Sequence, residues 1–321
     1  MPIVNNSQYQ AKFPFCNTHI NTIYTNLCRK VMPLPYQRER VELPDGDFVD
    51  LDWSKKGSRK LAFCVHGLEG HARKHYMAGM MNLFNTEGWD AVGMNLRSCS
   101  GEDNRLLQGY HSGQTDDMAY VLNKIKAQNA YTQIVLIGFS VGGNIVFKYV
   151  GEAGKKLFSE ISHVIGLSAP CDLKSCSMEL EKPKNYVYLN QFLITLKQKA
   201  RLKYSKFPQK FDLNKVVHAK QFRDFDSNYT APINGFTDCF DYWDKASSLP
   251  HLENITVPTL LVNALDDTFL SPDCFPKQLA HQKDNFYLEM PRFGGHLGFM
   301  NMDKQGYLYT ERRTLSFVNG F

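Results

Sequence analysis

Two stretches early in the chain, Tyr36 to Leu43 and Phe48 to Trp53, alternate apolar and polar residues on either side of Pro44-Asp45-Gly46-Asp47. Alternation gives a strand one apolar face, and Asp-Gly favours a tight reversal, so an antiparallel hairpin is expected there. Beyond it the pattern changes to short apolar runs: Lys60 to Val65, Trp89 to Met94, Gln133 to Ile137, His163 to Leu167, Thr259 to Asn263 and Asn285 to Glu289. Helix-period stretches such as Asp116 to Ala127 separate them. Runs of that length, apolar on both faces and joined by helices, predict βαβ units in a mostly parallel sheet flanked by helices, the α/β class.

One connection breaks the rhythm. Between the fourth and fifth runs lie about ninety residues, where an ordinary connection needs roughly two to six plus a helix. A helical cap inserted in the core accounts for the excess. The expected division is residues 1–170 and 249–321 for the two parts of an α/β core, and 171–248 for the cap.

Charge sharpens this division. The 321-residue chain carries a net charge of +5, too mild for a nucleic-acid partner. The interval Lys174 to Arg223, however, holds twelve Lys and Arg against Glu179, Glu181 and Asp212; its balance is +9, leaving −4 for the rest. Such a basic cap would favour anionic substrates and allow peripheral contact with a membrane surface. With 43% hydrophobic and 21% charged residues the composition is that of a folded protein with a sizeable core.

Eight cysteines (Cys16, Cys28, Cys64, Cys99, Cys171, Cys176, Cys239, Cys274) without a CxxC pair read as reduced thiols, and the first residues show no secretory pattern, so a cytoplasmic location is expected. The most membrane-like run, Ile134 to Val150, contains Asn144 and Lys148 and falls short of the roughly 18 apolar residues a span requires.

That same run contains the strongest chemical signal, Gly138-Phe139-Ser140-Val141-Gly142-Gly143, set between the strand Gln133 to Ile137 and the helical segment Asn144 to Val150. A sharp strand-to-helix turn lifts a serine hydroxyl above the sheet edge, and the glycines provide room for its strained backbone. An alcohol is a weak nucleophile, so Ser140 needs a general base, and an imidazole base needs a third group to fix its tautomer. Further along, Asp266 and Asp267 end a buried strand, and Met290-Pro-Arg-Phe-Gly-Gly-His296 places a histidine on a glycine-rich loop after the last strand. The order serine, acid, histidine is that of an α/β-hydrolase triad. Spacing leaves both aspartates open, because adjacent residues leave a strand end in opposite directions.

A tetrahedral oxyanion requires two donors. The backbone N–H of Val141 follows the nucleophile, and Leu68 lies in His66-Gly67-Leu68-Glu69-Gly70 directly after the strand ending at Val65, so these two N–H groups are the expected hole. His66 reads as a loop-stabilising hydrogen bonder.

Competing chemistries lack their parts. His71 and His75 have the spacing of two metal ligands on one helical face but no HExxH or completing carboxylate, so no metal is expected. Neither GxGxxG in the first βα unit nor a P-loop is present, so no cofactor is expected. Cys64 and Cys99, beside the proposed site, have no base.

The chain resembles the YheT-like branch of the α/β hydrolases, which joins bacterial esterases to the eukaryotic ABHD lipid hydrolases and yeast acyl-ester enzymes. The resemblance runs through Asn17-Thr-His-Ile-Asn-Thr-Ile-Tyr24, Tyr36 to Gly46, His66 to Gly70, Asn95-Leu-Arg-Ser-Cys-Ser-Gly-Glu102, Tyr110-His-Ser-Gly113 with Thr115-Asp-Asp117, Gly138 to Gly143, Asp241-Tyr-Trp-Asp-Lys-Ala-Ser247 and Gly294-Gly-His-Leu-Gly-Phe299. It implies Ser140 as nucleophile, Asp267 as acid and His296 as base, acting on small-molecule or lipid acyl esters. One departure stands out: the family's Asp-Asp-Pro-Phe is Asp266-Asp-Thr-Phe269 here, so the turn aiming the acid loses a rigid φ. The eukaryotic members also carry an N-terminal membrane anchor, and residence in a membrane through such an anchor is not expected here. The expected activity is serine-dependent hydrolysis of carboxylic esters through an acyl-enzyme; the alternatives are an acyltransferase that hands the acyl group to an alcohol, and an inactive scaffold that binds a lipid or a partner.

Overall fold

The computed structural model describes residues 2–4 and 7–320. Nine strands form one sheet among the described residues: β1 (Ile3–Val4), β2 (Gln37–Glu42), β3 (Phe48–Ser54), β4 (Lys60–Val65), β5 (Asp90–Asn95), β6 (Gln133–Phe139), β7 (Ile161–Leu167), β8 (Thr259–Val262) and β9 (Phe286–Glu289). Their order is β1-β9-β8-β7-β6-β4-β5-β3-β2. All pairings are parallel except β2 with β3 and β3 with β5.

The six expected runs each form a strand: β4 has the expected bounds, β6 runs two residues further to Phe139, β7 starts two earlier at Ile161, Trp89 and Asn285 precede β5 and β9, Asn95 extends β5, and Asn263 follows β8. The hairpin forms with Val41 opposite Val49, but β3 is buried along its full length because β5 covers its other edge. Its polar members are therefore matched by partners. Asp50 pairs with Arg40 at 2.9 Å, and Asp52 pairs with Arg38 at 2.8 Å and Arg73 at 3.2 Å. β1, parallel to β9, was too short to be read from periodicity.

Period-two geometry divides the core between the two faces of the sheet. Leu61, Phe63 and Val65 of β4 point to one side with Val121 and Leu122 of α3 (Asp116–Ala127) and Ile145 and Val146 of α4 (Val141–Ala153). Ala62 and Cys64 point to the other, with Met77, Met80 and Phe84 of α2 (His75–Thr86) and Phe317 of the last helix, residues 309–318. Each fully buried Val, Leu, Ile, Met or Phe among them contributes about 1.5–3 kcal/mol relative to exposure.

Between β7 and β8 run α5 (Leu173–Leu180), α6 (Tyr186–Lys206), α7 (Leu213–His218), α8 (Phe222–Phe225), α9 (Ala231–Ile233) and α10 (Cys239–Ala246). They enclose an apolar cluster of their own that includes Leu189, Phe222, Phe225 and Trp243. Asp172 and Asp238 cap α5 and α10 by accepting backbone N–H groups. The remaining α-helices are α11 (Lys277–Gln282), α12 (Tyr309–Val318) and, between β1 and β2, α1 (Thr18–Cys28), which no core-facing apolar pattern announces because its apolar residues face solvent. Among the described residues no helix is long and apolar enough to cross a membrane.

Candidate active site

Ser140 stands where β6 turns into α4, with φ 52° and ψ −123°. This is a sparsely populated conformation for a residue with a Cβ, and it persists because its surroundings fix it. The Ser140 N–H donates to Leu167 O at 2.9 Å, and a Cβ on Gly142 would run into the carbonyl oxygens of Val65 and His66. The turn thus needs a glycine two residues after the serine, because α4 starts hard against the end of β4.

The structure brings the three expected side chains together. His296 Nε2 lies 2.9 Å from Ser140 Oγ, and His296 Nδ1 lies 2.8 Å from Asp267 Oδ2. A carboxylate only accepts, so Nδ1 carries the proton and Nε2 is left to accept one from the serine. Asp267 Oδ1 accepts the Phe269 N–H at 3.0 Å, and its side chain is fully buried. Phe269 stacks on the imidazole with ring centroids 4.2 Å apart, excluding water from one of its faces.

Asp266 points elsewhere. Its Oδ1 accepts the Gly295 N–H at 2.9 Å, so it secures the histidine loop instead of orienting the ring. Burial pushes its carboxyl up to about 6. The lost proline of Asp266-Asp-Thr-Phe269 has a replacement that the sequence did not reveal. Thr268 donates its hydroxyl to Asn185 Oδ1 at 2.6 Å and accepts at its carbonyl from Asn185 Nδ2 at 2.7 Å, so a residue just before α6 holds the turn that proline rigidity would otherwise set.

The His296 loop is clamped along its length. The N–H groups of His296, Leu297 and Met300 donate to Thr22 Oγ1 (2.9 Å), Ser168 Oγ (3.0 Å) and Asn21 Oδ1 (3.0 Å). Leu297 and Phe299 both have positive φ, 55° and 42°, and these bonds hold that strain. Thr22, Asn21 and Ser168 were not anticipated as site residues. The only signal for the first two was their place in the Asn17 to Tyr24 motif.

On the opposite side of Ser140 lies the loop after β4. His66 Nε2 accepts the Leu96 N–H at 3.1 Å, so Nδ1 donates to Gly67 O at 2.7 Å. Burial drives this imidazole down to about 3, neutral throughout the working range, in the loop-bracing role expected of it. Of the neighbouring backbone donors, Gly67 N–H goes to Tyr76 Oη, Glu69 N–H to Tyr110 Oη and Gly70 N–H to Gly67 O. Among the described residues, Leu68 N–H is left without a partner, and the Val141 N–H, first in α4, has no carbonyl one turn before it within the helix.

Ser140, Leu68, Val141 and His296 line a cavity of about 120 Å³, against the roughly 10–15 Å³ one water needs. Apolar residues of α5, α6 and α8 also line it: Leu173, Leu180, Phe192, Leu196, Phe222 and Phe225. Lys199 and Lys203 also face it, but Lys199 pairs with Glu69 at 2.9 Å, and Lys203 pairs with Asp103 at 3.2 Å and donates to two backbone carbonyls. Farther out, Lys206 pairs with Asp103 and Arg223 with Glu181. The two lysines of the interval Lys174 to Arg223 that face the cavity are therefore both paired with carboxylates from outside that interval, and most of the cavity wall is apolar.

The remaining candidates fall outside the chemistry. His71 sits in the turn before α2, where its Nδ1 accepts the Arg73 N–H, so it shares no helical face with His75. No group of three or more His, Cys, Asp or Glu residues among those described is placed to hold a metal. Burial raises the Cys64 thiol, and pushes Cys99 up to about 11.

Comparison with known proteins agrees with this architecture. The sequence pattern of the α/β hydrolase fold family matches residues 63–301. The YheT protein of Escherichia coli (strain K12) is 34% identical over 292 residues, 89% of this chain and 85% of that protein. Phospholipase ABHD3 of Homo sapiens is 28% identical over 278 residues, 84% of this chain and 68% of that protein. Among solved structures, the Pyrococcus furiosus esterase Pf2001 superposes with a TM-score of 0.58 at 15% identity, over 91% of this chain and 97% of that one, a likeness of fold. The chain belongs to the α/β-hydrolase family, in the branch represented by YheT and the ABHD proteins.

Proposed function

We propose that the protein is a serine hydrolase of carboxylic esters, with Ser140 as nucleophile, His296 as general base and acid, Asp267 as the group that orients His296, and residues 171–248 as a cap over the acyl chain. The observation that carries this reading is the pair of contacts made by one imidazole, 2.9 Å to Ser140 Oγ and 2.8 Å to Asp267 Oδ2.

In the proposed cycle Ser140 Oγ attacks the ester carbonyl carbon while His296 Nε2 takes the hydroxyl proton. The carbonyl oxygen becomes an oxyanion and is met by the N–H groups of Leu68 and Val141. Collapse breaks the bond to the alcohol oxygen, which leaves with the proton from His296. Water, deprotonated by the same nitrogen, then attacks the acyl-enzyme and releases the carboxylic acid and free Ser140. The apolar cavity wall suits a hydrocarbon acyl chain, and relatives named as a phospholipase and a monoacylglycerol lipase (ABHD2 of Bos taurus) support a lipid ester.

Hydrolysis of p-nitrophenyl esters graded by chain length tests this directly. Turnover should be lost in Ser140→Ala while the protein stays folded, and added ethanol should not divert the acyl group into an ethyl ester in preference to the acid. Equal turnover by Ser140→Ala would overturn the reading.

A further inference from the structure

Helix α1 is built inside out. Its inward residues are polar, and each is bonded: Asn21 to Tyr9, Phe15 O and Met300 N–H, Thr22 to the His296 N–H, Thr25 to Asn21 O, and the capping Arg29 to buried Glu311 at 2.7 Å. The apolar residues face solvent. Ile20, Ile23, Tyr24 and Leu27 recur at i, i+3, i+4 and i+7, the spacing of one helical stripe, and all four are exposed, Leu27 at 77%. Phe13, 93% exposed, stands in the turn leading into the helix, and Met32, 75% exposed, follows it.

The stripe continues toward the cap. His19 of α1 hydrogen-bonds Tyr188 of α6 at 2.9 Å, and the two residues just before Tyr188, Tyr186 and Val187, are exposed. Tyr188 in turn contacts Phe269, the ring stacked on His296. This unpartnered apolar surface therefore lies next to the catalytic histidine. The segment that carries the stripe is charged with one sign: no Asp or Glu occurs before Glu39, and exposed Lys12 and Lys30 stand before and after the helix.

We propose that this face docks the enzyme on a lipid surface carrying anionic headgroups, with α1 lying in the interface and the cavity brought to its substrate. An apolar stripe with cations at its borders is what the boundary between headgroups and acyl chains accepts, the side chains gaining burial and the lysines gaining counter-charges. The choice of lipid as partner rests on the ester-hydrolase reading; the docking itself is measured without turnover.

The test uses the full chain bearing Ser140→Ala, sedimented with vesicles of equal parts phosphatidylcholine and phosphatidylglycerol. Binding is expected, and adding Ile23→Glu with Leu27→Glu should weaken it by about tenfold or more. Lys12→Gln with Lys30→Gln should weaken binding to the anionic vesicles and leave binding to pure phosphatidylcholine vesicles unchanged. In the active protein, Ile23→Glu with Leu27→Glu should leave hydrolysis of a water-soluble p-nitrophenyl ester intact, which establishes folding. Absence of wild-type binding, equal binding by the glutamate variant, or a dimer in size-exclusion chromatography that this variant splits without any vesicle binding would each overturn the proposal. Loss of soluble-ester turnover in the unmodified chain would instead count against the hydrolase reading alone.

Discussion

Thr22 Oγ1 accepts the backbone N–H of His296 at 2.9 Å, joining α1 to the loop that carries the proposed base. Without that acceptor the His296 N–H would be buried unsatisfied, at a cost of roughly 1–3 kcal/mol that the loop can relieve only by moving. Thr22→Val, which keeps the shape and removes the acceptor, should lower kcat about five- to fiftyfold with little change in KM. Thr22→Ser should restore it. Steady-state kinetics on a soluble ester would separate this positioning role from a packing role, in which the isosteric valine would be tolerated.

The two aspartates should part widely. Asp267→Asn leaves His296 without the acceptor that sets its tautomer and should reduce kcat by about 10³–10⁴. Asp266→Asn retains an oxygen for the Gly295 N–H and should cost less than about tenfold. Reversed ranks in kcat would show that the contact from His296 Nδ1 to Asp267 is not the working one.

Gly142 tests the turn itself. A methyl group there would meet the carbonyl oxygens of Val65 and His66, at the point where α4 abuts β4. Gly142→Ala should destabilise the protein by about 3 kcal/mol or more, read as a large fall in denaturant midpoint. An alanine variant of wild-type stability would show that the turn has room the packing denies it.

Buried titrating groups predict opposite pH effects at two places. His66 is lowered to about 3 and His111 to about 4 by burial, so the unfolded chain takes up protons that the folded one refuses. Their contribution is present above about 6.5, the ordinary value for histidine, and is lost progressively as pH falls toward the folded values. Asp226, raised to about 6 by burial, behaves inversely: its contribution is full below about 3.9 and is lost as pH rises through 6. Relative to wild type, Asp226→Asn should therefore raise the unfolding midpoint at pH 8 and not at pH 4. His66→Gln should flatten the decline below pH 6.5. Thermal unfolding across that range measures both.

Much of this was legible because the signals were local. Ser140 declares itself through glycines that must lie beside it in sequence, and the strands through runs apolar on both faces. The pairing of His296 with Asp267 over Asp266 was not fixed by spacing, since it depends on which carboxylate leaves β8 toward the loop after β9. The roles of Thr22, Ser168 and Asn185 were hidden for the same reason. Each acts through one bond to a residue distant in the chain, and serine, threonine and asparagine are common in every loop. Charge pairing was hidden likewise: a count of charges along the chain does not show that Glu69 and Asp103 stand opposite Lys199 and Lys203.

The central claim is that one hydroxyl among those of the chain is made nucleophilic by His296. Labelling with a fluorophosphonate followed by peptide mass analysis tests it most directly. The predicted result is a single adduct on the peptide containing Ser140, absent in Ser140→Ala and strongly slowed in His296→Ala; a folded protein that takes no label, or takes it on another residue, would contradict the account.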